Sequence, residues 1–229
     1  MLYDYTGINK SLSCASATVS NKSPLGLLFL RPKDYILLCN MDNVKRVAVF
    51  IDNSNVFHYI YDIRKSDRSW ICLYNPLILS QKLAGNRDLV YVGFYCVRPP
   101  SYLLGGNPEE QRRHNITQKY YGEIEKLSNV SIKFGDLKGT KGQLQEKNLD
   151  TQLATDMVTM AALDKYDVAI LVSNDGDYKS AIENTKLFNK KIENLFFRGS
   201  LSMAIDGKCD IKRRARRSFF VKLDGLDGI

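Results

Sequence analysis

Five aspartates of this sequence stand in three short blocks, and side chains of this type and spacing could bind a metal ion. Asp52 directly follows one apolar run, while Asp175 and Asp177 follow another further along the chain. Asp150 and Asp156 lie between these runs, in a segment with helical spacing. Converging carboxylates repel one another, and a partly buried unpaired carboxylate is costly. A cluster of these side chains therefore requires either protonation or a cation.

The ligand types indicate which cation would bind. The three blocks offer carboxylates and contain neither Cys nor His. Oxygen ligands select hard ions, so we predict Mg²⁺ or Mn²⁺ as the cofactor. Such an ion converts a bound water into a nucleophile and stabilises charge on a phosphoryl group. We predict that Asp52, Asp150 and Asp175 hold the ion, with Asp177 as a supporting ligand.

Asp150 and Asp156 both border the apolar face of their predicted helix. On a helical wheel they flank the stripe formed by Leu149, Leu153 and Met157, where a purely solvated charge is not expected. At a rise of ~1.5 Å per residue the two acids are about 9 Å apart along the axis, so one ion is not expected to contact both. We assign Asp150 to the ion directly, and Asp156 to a supporting position or a second ion.

Two neutral polar side chains complete the predicted catalytic set. Asn55, one helical turn past Asp52, is suited to orient water or to hold a phosphate oxygen, and Ser173 to donate to a carboxylate or a phosphate. Local roles are the alternative for some of these residues: Asp177 as the cap of the helix that follows it, Asp150 as a helix-start residue, and Asn55 as an ordinary first-turn residue. For Asp52 we expect no capping role of comparable strength.

Apolar runs that alternate with helical patterns predict the scaffold. The predicted strands are 46–51, 89–97, 130–134, 167–172 and 191–197. The predicted helices are 54–64, 76–84, 108–128, 149–163 and 178–188, with a Gly/Lys-rich loop at 135–146. This order predicts an α/β fold with α/β/α layers around a mainly parallel sheet of about five strands. Ligands bind outside the carboxyl ends of such strands, where the acidic blocks lie.

Composition limits the class of protein. The 229 residues carry 33 Lys and Arg against 25 Asp and Glu, a formal charge of +8 that suits a polyanionic partner. No apolar run approaches the roughly 18 residues of a membrane-spanning helix. Five cysteines without a CxxC pair, and only two histidines, argue against a disulfide framework and a zinc site. We therefore predict a cytoplasmic protein with no membrane partner.

The acidic blocks match a family pattern in order and in context. The first block, Phe-Ile-Asp-x-x-Asn, is matched by Phe50, Ile51, Asp52 and Asn55. The second, Lys-Gly-x-Asp-x-x-Leu-x-x-Asp, is matched by Lys147, Asp150, Leu153 and Asp156. The third, Ser-Gly-Asp-x-Asp-Phe, is matched by Ser173, Asp175, Asp177 and Tyr178. In these residues the sequence resembles the NYN domain family of the PIN-like nucleases, especially its LabA-like branch.

The resemblance implies a Rossmann-like, PIN-like sheet, dependence on Mg²⁺ or Mn²⁺, and ribonuclease activity on single-stranded or unstructured RNA, with an endonuclease as the expected mode. Asn148, Asn174 and Asn189 stand where the family has Gly, and Asn148 is expected to alter the helix start and so the direction of Asp150. Two alternatives are kept. One is a catalytically weak or inactive module that binds RNA or a protein; the other is a phosphatase of the haloacid dehalogenase type, which requires an Asp where Ser54 stands.

A ribonuclease needs cations for the phosphate backbone and flat side chains for unpaired bases. The predicted RNA-binding cations are Arg98, Lys138, Lys141, Lys147, Lys212, Arg213, Arg214, Arg216 and Arg217, with Arg112 and Arg113 as further candidates. The tyrosines predicted to stack on bases are Tyr102, Tyr120 and Tyr121. Any one of these charges could simply be solvated; only the cluster at 212–217 is dense enough to favour a polyanion.

The sequence divides into three predicted parts. Residues 44–211 are expected to form the nuclease domain, and residues 212–229 a basic tail with a short apolar segment. Residues 1–43 are expected to be an appendage, either poorly ordered or translated from upstream of a start at Met41, with an extra hairpin as the alternative. A homodimer is left open.

Overall fold

A seven-stranded sheet lies at the centre of the computed structural model, which describes residues 44–138, 145–197 and 202–226. Its strands are β1 Arg46–Asp52, β2 Asp88–Val97, β3 Val130–Lys138, β4 Gln145–Lys147, β5 Val168–Val172, β6 Lys191–Phe196 and β7 Ile211–Arg214. They are ordered β4-β3-β2-β1-β5-β6-β7. Six are parallel, and β4 alone pairs antiparallel, with β3. The predicted appendage at 1–43 lies outside the described residues.

Five helices cover the two faces of this sheet. They are α1 Asn53–Arg64, α2 Pro76–Ala84, α3 Pro108–Glu125, α4 Leu149–Ala162 and α5 Lys179–Leu187. Alternate residues of β1 divide the core: Val47, Val49 and Ile51 pack with α1, α2 and α3. Ala48 and Phe50 pack with α4 and α5 on the other face. The predicted three-layer α/β/α fold is therefore confirmed, with two strands more than expected. No helix in the described ranges has both the length and the apolar character of a bilayer span.

The two additional strands lie at the edges of the sheet. Residues 135–146 were expected to form a loop, but β3 extends to Lys138 and β4 pairs with it from Gln145 onward. At the opposite edge β7 pairs parallel with β6, within the segment predicted as a tail. Edge strands tolerate Lys, Asp and Gly because one side faces water, so they lack the apolar signal of central strands.

The segment after β7 joins the core instead of extending into solvent. Phe220, Leu223 and Leu226 are buried in the cluster on the α1–α3 face. On β6, Glu193 is 3% exposed and forms ion pairs with both Arg87 and Arg213. In this respect the structure differs from the predicted tail: residues 211–226 contribute a strand, a buried ion-pair cluster and core side chains.

Candidate functional site

The carboxyl edge of the sheet carries the first acidic block. Asp52 is the last residue of β1 and lies in register with Tyr95 on β2, while Ile51 pairs with Val172 at the end of β5. By strand alternation Asp52 faces the same side as Ala48 and Phe50, toward α4 and α5. Its side chain is only 3% exposed. Sequence order alone thus places this carboxylate at the edge where parallel sheets bind ligands.

One tyrosine joins this carboxylate to the second acidic block. The hydroxyl of Tyr178 donates to Oδ1 of Asp150 over 2.8 Å and to Oδ2 of Asp52 over 3.2 Å. The two carboxylate oxygens are therefore separated by no more than the sum of these two distances. Tyr178 is 1% exposed, so its phenol is a fixed bridge. The structure thus brings Asp52 and Asp150 together, as the sequence predicted.

The electrostatics of this acid pair favour a positive charge between its members. A hydroxyl carries one proton, so at any moment Tyr178 can satisfy one of the two carboxylates. Burial raises the pKa of Asp52 to about 6, against hydrogen bonds from Asn55 and Ser173 that lower it, and the charge of Asp150 adds to the rise. Burial and the two nearby carboxylates also raise the pKa of Tyr178. Asp150 is exposed, whereas buried Asp52 is poorly compensated unless a proton or a cation joins the pair.

Asp52 also has a local role that the sequence analysis did not expect. It is the N-cap of α1, because its Oδ1 accepts a hydrogen bond from the backbone N–H of Asn55 over 3.1 Å. The expectation that Asp52 had no capping role was wrong. The helix was predicted to begin at residue 54, whereas it begins at Asn53, which makes Asp52 its N-cap.

Ser173 links the first and third acidic blocks. Its Oγ donates to Oδ2 of Asp52 over 3.0 Å and accepts from the backbone N–H of Asp175 over 3.1 Å. The carboxylate of Asp175 accepts from the N–H of Asp177 over 3.0 Å and so caps the short turn before α5. Asp177 itself is exposed. The capping role considered for Asp177 thus belongs to Asp175, and a metal-ligating role for either remains a prediction.

Asn55 is held by the loop after β5. Its Oδ1 accepts from the backbone N–H of Asn174 over 3.0 Å, and Oδ1 of Asn174 accepts from the N–H of Phe197 over 3.1 Å. Within the described ranges the amide nitrogen of Asn55 donates no hydrogen bond to protein. This nitrogen is therefore the group of Asn55 that is suited to hold a phosphate oxygen or a water.

Asp156 has a tyrosine of its own. The hydroxyl of Tyr95 donates to Oδ2 of Asp156 over 2.8 Å. The apolar stripe of α4 is buried at Leu149, Leu153 and Met157, as the helical wheel predicted. Asp156 is half-buried beside that stripe, and its described contact is Tyr95, whereas Asp150 shares Tyr178 with Asp52. This division agrees with a supporting position for Asp156.

At two of the three positions where Asn replaces the family's Gly, the backbone has the positive φ that Gly adopts readily. Asn148 has φ 69° and Asn189 has φ 57°, both in the left-handed region that Gly and Asn adopt most readily. The side-chain nitrogen of Asn148 also donates to Asp136 over 2.8 Å. The helix start that holds Asp150 therefore forms without Gly, by a conformation that Asn tolerates.

The donor set fits a hydrated ion better than a full carboxylate cage. In the part of the chain that the structure describes, no three His, Cys, Asp or Glu residues lie close enough to share a metal ion. Mg²⁺, however, usually retains several waters and binds through one or two carboxylates. The pair of Asp52 and Asp150 meets that requirement, and its hard oxygen donors match Mg²⁺ or Mn²⁺.

The predicted cations lie on both sides of the acid pair. On one side of β1, Lys138 ends β3, two strands away, and Lys147 ends β4, three strands away. Lys141 lies outside the described residues. On the other side, also three strands from β1, lies β7 with the C-terminal cluster. At ~4.8 Å per strand, β3 is about 10 Å from β1, and β4 and β7 are each about 14 Å from it.

Several members of the C-terminal cluster have structural partners. Lys212 pairs with Asp206, Arg213 with buried Glu193, and Arg217 donates to Ser69. Arg214 and Arg216 are exposed. Of the predicted RNA-binding residues at this edge, these two have the guanidinium groups most accessible to a polyanion.

Sequence reasoning missed the tyrosine hydroxyls. Tyr178 replaces the Phe of the third block, and that substitution was the available signal for a polar group between the acids. Nothing in the sequence marked Tyr95 as a site residue, because it lies within an apolar strand. Among the tyrosines predicted to stack on bases, Tyr120 and Tyr121 are mostly buried, and the hydroxyl of Tyr120 donates to the carbonyl of Tyr74.

Known proteins share this sequence pattern and this fold. Residues 46–212 match the NYN domain family. The chain is 25% identical to the low amplitude and bright protein LabA of Synechococcus elongatus over 138 residues, which are 60% of this chain and 66% of that protein. It thus spans just under two thirds of that relative. The fold resembles the crystal structure of a Vibrio parahaemolyticus protein of unknown function, with a TM-score of 0.54 and 18% identity over 79% of this chain and 98% of that one.

Proposed function

The chain belongs to the NYN domain family, which confirms the resemblance in its sequence, and from that premise we propose that it is a metal-dependent ribonuclease. Its substrate would be single-stranded or unstructured RNA, cleaved by hydrolysis of phosphodiester bonds. The observation that carries the proposal is the meeting of Asp52 and Asp150 on the hydroxyl of Tyr178. Acids from separate strand and helix ends converge there, at the edge where this class of sheet binds ligands.

Each residue of the site has a definite task in this proposal. Asp52 and Asp150 hold Mg²⁺ or Mn²⁺, which when bound supplies an activated water and neutralises charge on the phosphate. Ser173 and the N–H of Asn55 keep the carboxylate of Asp52 in one orientation. The free amide nitrogen of Asn55 holds a phosphate oxygen. Asp175 and Asp177 are the further acids assigned to the metal in this proposal.

Hydrolysis of an unstructured RNA in Mn²⁺ tests this proposal. We expect Asp52→Asn and Asp150→Asn each to lower the rate by about 100-fold or more, because several kcal/mol of charge stabilisation are lost. Asp88→Asn is the matched control, since Asp88 is exposed at the first residue of β2, on the opposite edge of the sheet. Equal rates in the parent and in all three variants would reject the assignment.

A non-catalytic module that binds RNA or a protein is the second candidate. It is favoured by the capping role of the Asp175 carboxylate and by the lack of a three-acid group among the described residues. This candidate predicts that the parent binds RNA in EDTA but hydrolyses none of it in Mg²⁺ or Mn²⁺. Hydrolysis that depends on Asp52 would exclude it.

A further inference from the structure

A cavity of about 550 Å³ opens at the carboxyl edge of the sheet, on the face that α1 and α3 cover. Asn53 and Ser54, which follow Asp52 directly in the chain, form part of its wall. The side chain of Asp52 itself faces α4 and α5, so the cavity and the acid pair lie on the two faces of the same carboxyl edge. The volume lies within the usual range of small-molecule and nucleotide sites, about 300–1,000 Å³.

Aromatic side chains form much of the remaining wall. Phe57 and Tyr61 lie one turn apart on α1, with ring centroids 6.3 Å apart and planes inclined by 19°. They are 44% and 55% exposed, respectively, and Nζ of Lys65 lies over the Tyr61 ring, 5.5 Å from its centroid, so the pair combines flat rings with a positive charge. Tyr102 lines the same cavity. We call this cavity, with Phe57, Tyr61 and Tyr102, the aromatic pocket.

Arg98 gives the aromatic pocket a positive rim. Its guanidinium carbon lies 3.7 Å from the centroid of the Phe134 ring, a cation–π contact that fixes the group in place. Arg98 is exposed, and within the described ranges its guanidinium donates no hydrogen bond and forms no ion pair. A planar guanidinium with open donors matches a phosphate group.

We propose that the aromatic pocket binds an unpaired nucleobase of the RNA, with Arg98 on an adjoining phosphate. This inference rests on the proposed function, because it concerns how the proposed RNA substrate binds at the carboxyl edge of the sheet. Flat rings suit the face of any base, which makes such a site tolerant of sequence. Ser54 in the wall adds a hydroxyl for a base edge, whereas Asn53 and Thr117 already bond to Tyr74 and to the carbonyl of Arg113.

Binding measured without catalysis tests the inference. The probe is a fluorescein-labelled unstructured decaribonucleotide, titrated in EDTA and followed by anisotropy. We expect Tyr61→Ala to weaken binding by about 5- to 150-fold, the range of one base–aromatic stack, and Tyr61→Phe to retain parent affinity. Arg98→Gln should also weaken binding. Phe188→Ala and Lys165→Gln are the matched controls, because Phe188 and Lys165 are exposed beyond the opposite edge of the sheet.

A backbone-only probe separates base binding from charge. On the same decamer made of abasic nucleotides, Tyr61→Ala should bind like the parent, while Arg98→Gln should still bind more weakly. If Tyr61→Ala and Arg98→Gln both bind the intact RNA within twofold of the parent, the pocket does not hold a base. Thermal unfolding of each variant verifies that the fold is retained.

The inference and the proposed function fail in different ways. If Asp52→Asn abolishes hydrolysis while the pocket variants bind and cleave like the parent, the inference is overturned and the function stands. If no protein hydrolyses RNA but binding depends on Tyr61 and the bases, the pocket assignment stands and the function falls. If Tyr61→Ala impairs capture of a protein partner but not of the decamer, the surface is a protein interface and the inference is overturned.

Discussion

At the scale of the residue, the buried carboxylate of Asp52 has the most contacts within the candidate site. Asp52 caps α1, accepts from Ser173 and shares Tyr178 with Asp150. Burial nevertheless leaves its charged form unfavourable, and its pKa rises to about 6 from the ordinary 3.8. Such a buried charge is costly to a fold, and the proposed cation would neutralise it.

The shifted pKa predicts how stability depends on pH in the absence of metal. The folded-state pKa lies above the unfolded value, so the folded protein binds the proton more tightly between these pH values. The contribution of Asp52 to stability is therefore full below about pH 4 and is lost as pH rises through 6. At 1.36 kcal/mol per unit the loss is on the order of 3 kcal/mol. Asp52→Asn removes the loss, because the amide cannot ionise.

Urea unfolding in EDTA at pH 4, 5, 6 and 7 measures this effect. Relative to the parent, Asp52→Asn should gain stability across the series, while Asp88→Asn should stay within about 0.5 kcal/mol, as surface changes do. A difference between parent and Asp52→Asn that is independent of pH would contradict the account.

At the scale of the element, the site is built from helix starts. The helix α1 begins at Asp52, α4 begins after Asn148, and the turn before α5 is capped by Asp175. Helix N-termini carry partial positive charge, which favours acids and phosphates at this edge.

Asn148 provides a test of how the start of α4 is held. Its left-handed backbone, at φ 69°, costs an ordinary L-residue about 1–2 kcal/mol. We expect Asn148→Ala to lower the free energy of unfolding by about that amount and Asn148→Gly to change it by less than about 0.5 kcal/mol. Urea titrations of the three proteins measure both. Equal destabilisation by Ala and Gly would show that the side-chain contact with Asp136, and not the backbone, dominates.

The sequence predicted central elements well and edge elements poorly, for a physical reason. Strands β1 and β5 are buried on both faces, so their apolar runs are continuous and easy to identify. Strand β7 has the residues Ile-Lys-Arg-Arg, which a solvated tail would share. The acids of the site were predictable because they follow strand ends, whereas the Tyr178 bridge depends on side-chain packing that no local pattern encodes.

At the scale of the whole molecule, charge surrounds the acid pair. The chain carries a formal charge of +8, yet the pair itself is acidic, with basic strand ends on either side. In the proposed function, cations at the margins would hold successive phosphates while the acid pair receives the phosphate that reacts. Arg213 forms an ion pair with Glu193, so at the β7 side we expect Arg214 and Arg216, which are exposed, to contact a phosphate.

This arrangement predicts a salt effect on RNA affinity. Each phosphate neutralised on a single strand contributes about 0.7 to the slope of log affinity against log salt. The double variant Arg214→Gln, Arg216→Gln should therefore have a slope shallower by about 1.4 than the parent. Anisotropy titrations of the decamer in EDTA from 50 to 300 mM KCl (a range chosen for the assay) measure it, with Lys165→Gln as the control. An unchanged slope would place the RNA elsewhere.

Calorimetric titration with Mn²⁺ tests most directly whether Asp52 and Asp150 together hold a divalent ion. The account predicts a site in the parent and in Asp88→Asn, weakened by at least about 100-fold in both Asp52→Asn and Asp150→Asn, because a lost ligand costs no less than a lost supporting contact. Binding in Asp52→Asn that equals that of the parent, or no saturable binding to the parent, would contradict it.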